Sequence, residues 1–511
     1  MNIMRRILTT LFAIGITTFS MQAQIPNTAT TFYNVKYAGA KGNGIDLDTK
    51  FINSTIDEAA KAGGGTIYFP AGNYLCGSIH LKSNITLYLE NGATIIAAPA
   101  EDQGEYDPPE DKISNKYEDF GHRHWHNSLI WGENLHDISI IGHGMIWGKG
   151  LVRSNKGEDD KRPNKSISLY LCRNVIIRDI SMLHAGWFAL LATGVDNLTV
   201  DNVIMDTNRD GMDIDCCRNV KISNCNVNSP NDDAIVLKSS YGLGFARSTE
   251  NVTITNCEVS GFDEGSFLAG TYTRTNPGGP TGRIKMGTES NGGFKNITIS
   301  NCVFDYCGGL ALETVDGAQL EDVTINNITM RDIVNAPIFL SLGARMRGPE
   351  GTPVGSLRRI IISNIVAYNV DSQTGAIING IPGHDIEDVS LHDINIYYKG
   401  GGTKEQAERE VPGLEKIYPE PGRYGTLPSY GFYIRNVSGI QLQNINLHLL
   451  SGDQRPAFVL DSVKDVVFCF VNAPKQPGVP NVYIKNAENV NLFQSFNIKN
   501  TILESASKLK L

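Results

Sequence analysis

Asn197-Leu-Thr-Val-Asp-Asn-Val203 and Asn219-Val-Lys-Ile-Ser-Asn-Cys225 are one seven-residue phrase written twice, 22 residues apart. The phrase occurs nine times, starting at Asn174, Asn197, Asn219, Asn251, Asn296, Asp322, Arg359, Asp388 and Gly439. Its sixth residue is always Asn or Asp: Asp179, Asn202, Asn224, Asn256, Asn301, Asn327, Asn364, Asp393 and Asn444. The second and fourth are always aliphatic, as in Val175 and Ile177, Val220 and Ile222, or Ile440 and Leu442. Alternation of period two marks a strand with one buried face. Asn and Asp tolerate the left-handed bend that ends such a strand, so the phrase reads as one strand and its corner.

Spacing then sets the architecture. The closest starts lie 22, 23 and 26 residues apart, the length of one coil of a parallel β-helix; the Leu-rich consensus of the other repeat of that period is absent. Stacked coils place equivalent residues about 4.8 Å apart, which predicts a ladder of side-chain amides and an interior seventh column that includes Ile180, Val203, Cys225, Cys257 and Cys302. Where the interval stretches to 45 residues after Asn251 and 51 after Asp388, the excess must leave the coil as loops. The expected fold is all-β: a single-domain, right-handed parallel β-helix, a solenoid with loop insertions.

Composition fits. The 511 residues include 52 glycines and only 19% charged residues, as many turns and stacked coils require. A solenoid grows along its axis, so residues 24–511 are read as one domain, with an N-terminal cap and first coils at about 30–100. A net charge of −9 argues against nucleic acid or an anionic membrane as partner. Residues 1–23 combine basic Arg5 and Arg6, an apolar run from Ile7 to Phe19 and a small-residue cleavage stretch ending at Ala23; this is the pattern of a signal peptide and implies a secreted or periplasmic protein. The nine cysteines show neither a zinc spacing nor a disulfide framework; three of them alternate with Ile in the interior column and read as buried thiols. Cys216-Cys217 and the Cys302/Cys307 pair stay ambiguous.

Val35-Lys-Tyr-Ala-Gly-Ala-Lys-Gly-Asn-Gly44, Gly63-Gly-Gly-Thr-Ile-Tyr-Phe-Pro-Ala-Gly72 and Ser83-Asn-Ile-Thr-Leu-Tyr-Leu-Glu-Asn-Gly92 resemble the opening motifs of the pectate-lyase-like β-helix superfamily. That resemblance implies a fold shared by lyases, hydrolases, epimerases and tailspikes. The chemistry is sought in the densest carboxylate cluster, Asp206, Asp210, Asp213, Asp215, Asp232 and Asp233, which spans two consecutive coils. Aligning Met212 and Ile214 with Ile235 and Leu237 puts Asp210 and Asp233 in one column, with Asp232 beside them. Three crowded carboxyls repel, so at least one keeps its proton near neutrality. A protonated carboxyl and a carboxylate side by side are the pair that glycoside hydrolysis requires; a surface Asp stack or a calcium site is the plainer alternative.

The signatures Asn208-Arg-Asp-Gly211 and Asn231-Asp-Asp-Ala234 resemble those of the polygalacturonase family, glycoside hydrolase family 28, over roughly residues 32–500. The resemblance implies Asp232 as general acid, Asp210 and Asp233 as holders of the attacking water in an inverting reaction, a pectic oligo- or polysaccharide partner, and no metal or organic cofactor. Two parts of the family pattern are displaced. Thr281-Gly282-Arg283 stands where a Gly-His-Gly is expected, and Gly142-His-Gly144 lies too early and reads as a turn. Arg283-Ile-Lys285 spells the tripeptide that binds the substrate carboxylate but comes one coil early; in its proper coil stand Ala311 and Glu313.

Cations remain close by, so Lys238, Arg283, Lys285 and Arg345, together with Arg347, are candidate substrate contacts, the alternative for Arg283 and Lys285 being ion pairs with the Asp cluster. Trp125, Trp131, Tyr241, Phe245 and Tyr272 are candidates for stacking on sugars. The excursions Gly242–Thr249 and Gly261–Gly282 are expected to wall one end of the cleft, which favours attack from chain ends; Lys399–Tyr424 reads as an exposed excursion without evident chemistry. The displaced cations count against plain homogalacturonan, and the expectation is a monomeric hydrolase of α-galacturonide bonds in pectin, exo-acting, on rhamnogalacturonan-type or decorated substrates. A uronate-polymer lyase or epimerase, or a glycan-binding β-helix without activity, is the competing reading.

Overall fold

The computed structural model describes residues 31–100, 105–110, 117, 122, 124–153, 162–276 and 278–511; the export signal read at residues 1–23 lies outside them. Each strand hydrogen-bonds to its equivalent one coil later, and every strand ladder but the last is parallel. One coil consists of strands Asp210–Asp215, Arg218–Ser223 and Asn226–Asn228, in register with the coils on either side through Leu190↔Met212↔Ile235, Leu198↔Val220↔Val252 and Met205↔Val227↔Val259. From Phe294 onward the second and third strands run together, as in Phe294–Asp305 and Gln319–Arg331. The core is the tube inside, filled by the aliphatic columns and by the buried thiols of Cys225, Cys257 and Cys302; all nine cysteines are free.

The seven-residue phrase is bent at both of its ends. Every sixth residue has positive φ, from 52° to 66°, and so does every first one, from 53° to 59° with Gly439 at 73°. The amide ladder is most regular in the first column, where Asn197, Asn219, Asn251 and Asn296 each donate from Nδ2 to the Oδ1 of the rung before at 2.7 to 3.1 Å. In the sixth column, where the ladder was expected, it is interrupted: Asn224 turns to Asp201 and Asn301 to Thr255. Arg359 keeps the corner conformation at φ 56° and continues the first column as an ion pair with Asp322 at 2.7 Å.

Both open ends of the tube are covered. Helix α1 (Thr49–Lys61) lays Ile52, Ile56 and Ala59 over the first coil. At the other end Thr501–Lys510 folds back antiparallel on Val482–Phe493, occupying an edge that would otherwise template further strands.

The strands that position the site follow one another along one face: β1 (Lys165–Tyr170), β2 (Phe188–Thr193), β3 (Asp210–Asp215), β4 (Ile235–Ser239), β5 (Ile284–Ser290) and β6 (Leu310–Thr314). The register Met212↔Ile235, Ile214↔Leu237 and Asp215↔Lys238 is the one read from the sequence, and Lys285 follows beside Val236 on the next rung.

Candidate active site

The carboxylates stand on two stacked turns that feed β3 and β4. Asn231 N–H donates to the Asn208 carbonyl at 3.0 Å and Gly211 N–H to the Asp233 carbonyl at 3.1 Å. The Ser229 hydroxyl ties the turns together, lying 2.6 Å from the Arg209 carbonyl and 3.0 Å from that of Asp232. Gly211 permits this closeness, because a Cβ there would meet the Ala234 carbonyl oxygen at 2.4 Å. As a result Asp210, Asp232 and Asp233 each bring one oxygen within 4.8 Å of the others. Oxygens that close could also hold a cation; here Arg209 pairs with Asp232, and Arg283 and Lys285 pair with Asp233 at 2.7 and 3.3 Å.

These surroundings separate the three groups electrically. Burial, then the neighbouring Asp232, push the Asp210 carboxyl well above the usual carboxylate range. Burial and Asp233 raise Asp232 as well, against the pull of Arg209. Asp233 is as buried as Asp210, but Lys285 and Arg283 outweigh the burial and hold its carboxyl below the usual range. The trio is therefore two carboxyls biased toward the protonated form beside one biased toward the ionised form.

The remaining members of the acidic cluster do other work. Asp206 accepts the backbone N–H groups of Gly265 and Leu268, both at 2.9 Å, and so pins down the excursion that precedes Arg283. Asp215 accepts the N–H and hydroxyl of Ser240 at 2.7 and 2.5 Å. Asp213 faces Lys238 Nζ at 3.3 Å and His122 Nε2 at 3.4 Å.

A cavity of about 330 Å³ opens over the trio, lined by His122, Trp187, Phe188, Arg209, Asp210, Asp232, Asp233, Lys238, Lys285 and Tyr418. Of the cations expected to touch substrate, Lys238 and Lys285 reach it. Arg283 does not: it is buried between Asp233 and Glu420, which takes its guanidinium at 2.9 and 3.2 Å. Arg345 is spent on Asp316 at 3.0 and 2.5 Å, and Arg347 on Glu289 at 2.9 Å. In each case a buried carboxylate neutralises the cation that sequence alone offered to a substrate. Lys285 is itself bonded to the Tyr418 hydroxyl at 2.8 Å and lies 3.6 Å from Glu313, whose carboxyl burial pushes up to about 7.

Five lining residues, His122, Trp187, Phe188, Arg209 and Tyr418, were not found by sequence reasoning. His122 enters from between the strands, fully buried beside Asp213, Asp215 and Lys238 Nζ, the last at 3.1 Å; a histidine therefore does stand in the site. Tyr418 arrives on the Lys399–Tyr424 excursion, which also supplies Glu420, so the expectation that this stretch carries no chemistry is corrected. Neither has a periodic signal. Arg209 and Trp187 did have one: Arg209 lies inside the quoted signature, and Phe188↔Asp210 places Trp187 on the preceding rung beside it. Among the described lining residues none of the expected stacking aromatics appears. Trp125 is buried against Tyr170 with ring centroids 3.7 Å apart, and Tyr272 packs on Phe262 and Phe267. His122 and Tyr418 line the cavity beyond the strands, and no residue of Gly242–Thr249 or Gly261–Gly282 is among its described lining residues.

Two family models match the chain: "Rhamnogalacturonase A/epimerase, pectate lyase-like" over residues 32–119 and "Right handed beta helix region" over residues 162–277. A probable polygalacturonase of Vitis vinifera is 24% identical over 417 residues, covering 77% of this chain and 80% of that protein. Among solved structures, the family 28 exopolygalacturonase of Yersinia enterocolitica has a TM-score of 0.64 at 16% identity, covering 85% of this chain and 78% of that one. The hyperthermoactive exopolygalacturonase of Thermotoga maritima has a TM-score of 0.59 at 16% identity, covering 96% of each chain. The strand ladders and the family-model matches together define a right-handed parallel β-helix. Within that fold the chain is similar in sequence, at 24% identity over most of its length, to a protein described as a probable polygalacturonase.

Proposed function

We propose that the protein hydrolyses α-galacturonide bonds in pectic polysaccharide, removing units from chain ends with inversion, on rhamnogalacturonan-type or decorated substrates, as an exported monomer. The observation that carries this reading is the trio itself: three carboxyls within 4.8 Å, two pushed toward the protonated form and one held ionised. Asp232 gives its proton to the departing glycosidic oxygen, Asp233 takes a proton from the attacking water, and Asp210 fixes that water by hydrogen bonding. A cavity of about 330 Å³, lined by His122 and Tyr418 as well as by the strands, suits the end of a chain better than its middle, in keeping with the exopolygalacturonases it resembles.

One observation favours a second stereochemical course. Inverting pairs usually stand about 6.5–9.5 Å apart and retaining pairs about 5–5.5 Å, and the oxygens here are closer than the first range. Proton NMR of the first product from an oligogalacturonide distinguishes the two. A β-anomer formed first supports inversion; an α-anomer overturns it and makes Asp233 the nucleophile. The wider reading is tested by chromatography of a panel of pectic oligosaccharides with the wild type and Asp232→Asn. Single terminal units released by the wild type, with a loss of about 10²- to 10⁴-fold in the variant, are expected. Full turnover by Asp232→Asn removes the acid assignment, and a product absorbing in the ultraviolet makes the protein a lyase.

A further inference from the structure

Four side-chain cations surround the carboxylates, and three are committed. Arg283, Lys285 and Lys238 have side chains only 4%, 2% and 11% exposed, and each faces two acidic partners: Asp233 and Glu420, Asp233 and Glu313, and Asp213 and Glu289. Arg209 differs. Its side chain is 28% exposed, its carboxylate partner is Asp232, and among the described residues its buried Nε has no hydrogen-bond partner. The guanidinium carbon sits 3.7 Å from the centre of the Trp187 ring, so it is supported by stacking rather than by a second acid. Both residues line the cavity.

The pairing also poses a chemical difficulty. An acid catalyst must carry a proton, yet an arginine on its carboxylate favours the ionised form. A substrate that drew the arginine away would remove the conflict.

We propose that Arg209 is the residue that recognises a carboxylate-bearing sugar, its guanidinium exchanging Asp232 for the sugar's carboxylate as substrate enters while Trp187 keeps it in place. The exchange gives the planar donor fork a new carboxylate and leaves Asp232 free to hold its proton, so the anionic sugar prepares the acid that cleaves it. A neutral sugar cannot trigger this step. The inference rests on the uronide-hydrolase reading above, and it explains how a site whose tripeptide Arg283-Ile-Lys285 is neutralised can still select for charge.

Calorimetry with galacturonate and galactose as probes tests it without requiring turnover. Asp232→Asn, which releases Arg209, is expected to bind galacturonate more tightly than the wild type does. The double variant Asp232→Asn/Arg209→Gln is expected to lose about 10- to 100-fold of that affinity, the range of a charge-assisted hydrogen bond, with galactose binding moved far less. Arg209→Lys, which keeps the charge and alters the fork, should recover part of the loss. In kinetics, Arg209→Gln is expected to raise KM for galacturonides and to move the alkaline limb of the pH profile. Unchanged galacturonate affinity in the double variant, with melting temperatures matching the single variant, overturns the proposal. If the wild type cleaves no galacturonide, the hydrolase reading fails separately, while the binding comparison still decides whether Arg209 recognises the carboxylate.

Discussion

Asp233 is a carboxylate that burial alone would neutralise, and two neighbours reverse the outcome. Lys285 and Arg283 keep it ionised below the usual carboxylate range, while Asp210 and Asp232 are raised. The pH profile of kcat/KM should therefore be bell-shaped. Activity falls in acid only when Asp233 takes up its proton, below the ordinary range, and falls in base when the raised pair loses its proton, above that range. Replacing Lys285 with Met should move the acid limb to higher pH; an unmoved limb means that another group sets it. Glu313 gives a stability prediction of opposite sense to the usual acid. Its folded value, about 7, lies above its ordinary 4.5, so its contribution is complete below pH 4.5 and is lost as pH rises through about 7. Glu313→Gln should flatten the decline in melting temperature between those limits by about 2–4 °C, as scanning calorimetry will show. At this scale the sequence exposed Asp210, Asp232 and Asp233 because strand register fixes them. It also offered the ion pair of Arg283 with Asp233 as an alternative, but it could not expose His122 or Tyr418, which obey no period, nor Glu420, the second acid on Arg283, which lies 137 residues away.

The seven-residue phrase is the clearest case in which a local rule determines an element. Two left-handed corners, one at each end, bend the chain around the coil, and Asn satisfies both the φ angle and the hydrogen bond to the next rung. Asn219 combines φ 56° with hydrogen bonds to Asn197 and from Asn251. Asn219→Gly keeps the corner and loses the ladder, whereas Asn219→Ala loses both. The alanine variant should therefore be the less stable, costing about 1–2 kcal/mol in urea denaturation; equal losses mean that the corner conformation is not what selects Asn. The period was legible because nine copies repeat it. The first-column ladder was less so, since Arg359 and Gly439 interrupt its lettering without interrupting its geometry. The excursions could be located from stretched intervals, but their destinations could not, because a loop's path depends on what it packs against rather than on its own pattern.

As a whole the molecule is a rod of stacked coils, sealed by helix α1 and by the antiparallel Thr501–Lys510 strand. Deleting residues 494–511 should bare the Val482–Phe493 edge and produce concentration-dependent association, measurable by light scattering; a variant that stays monodisperse at high concentration would show that the edge is protected otherwise. The stacking has a further consequence for the reacting groups. Asp210 and Asp233 belong to adjacent rungs, so the gap between them is inherited from the repeat distance of main-chain amide bonding, about 4.8 Å, a constant of every polypeptide. Selection cannot stretch that ruler by fractions of an ångström. What remains adjustable is the company each acid keeps and the lids placed above it, so reactivity can be retuned and substrate range diversified along independent evolutionary routes.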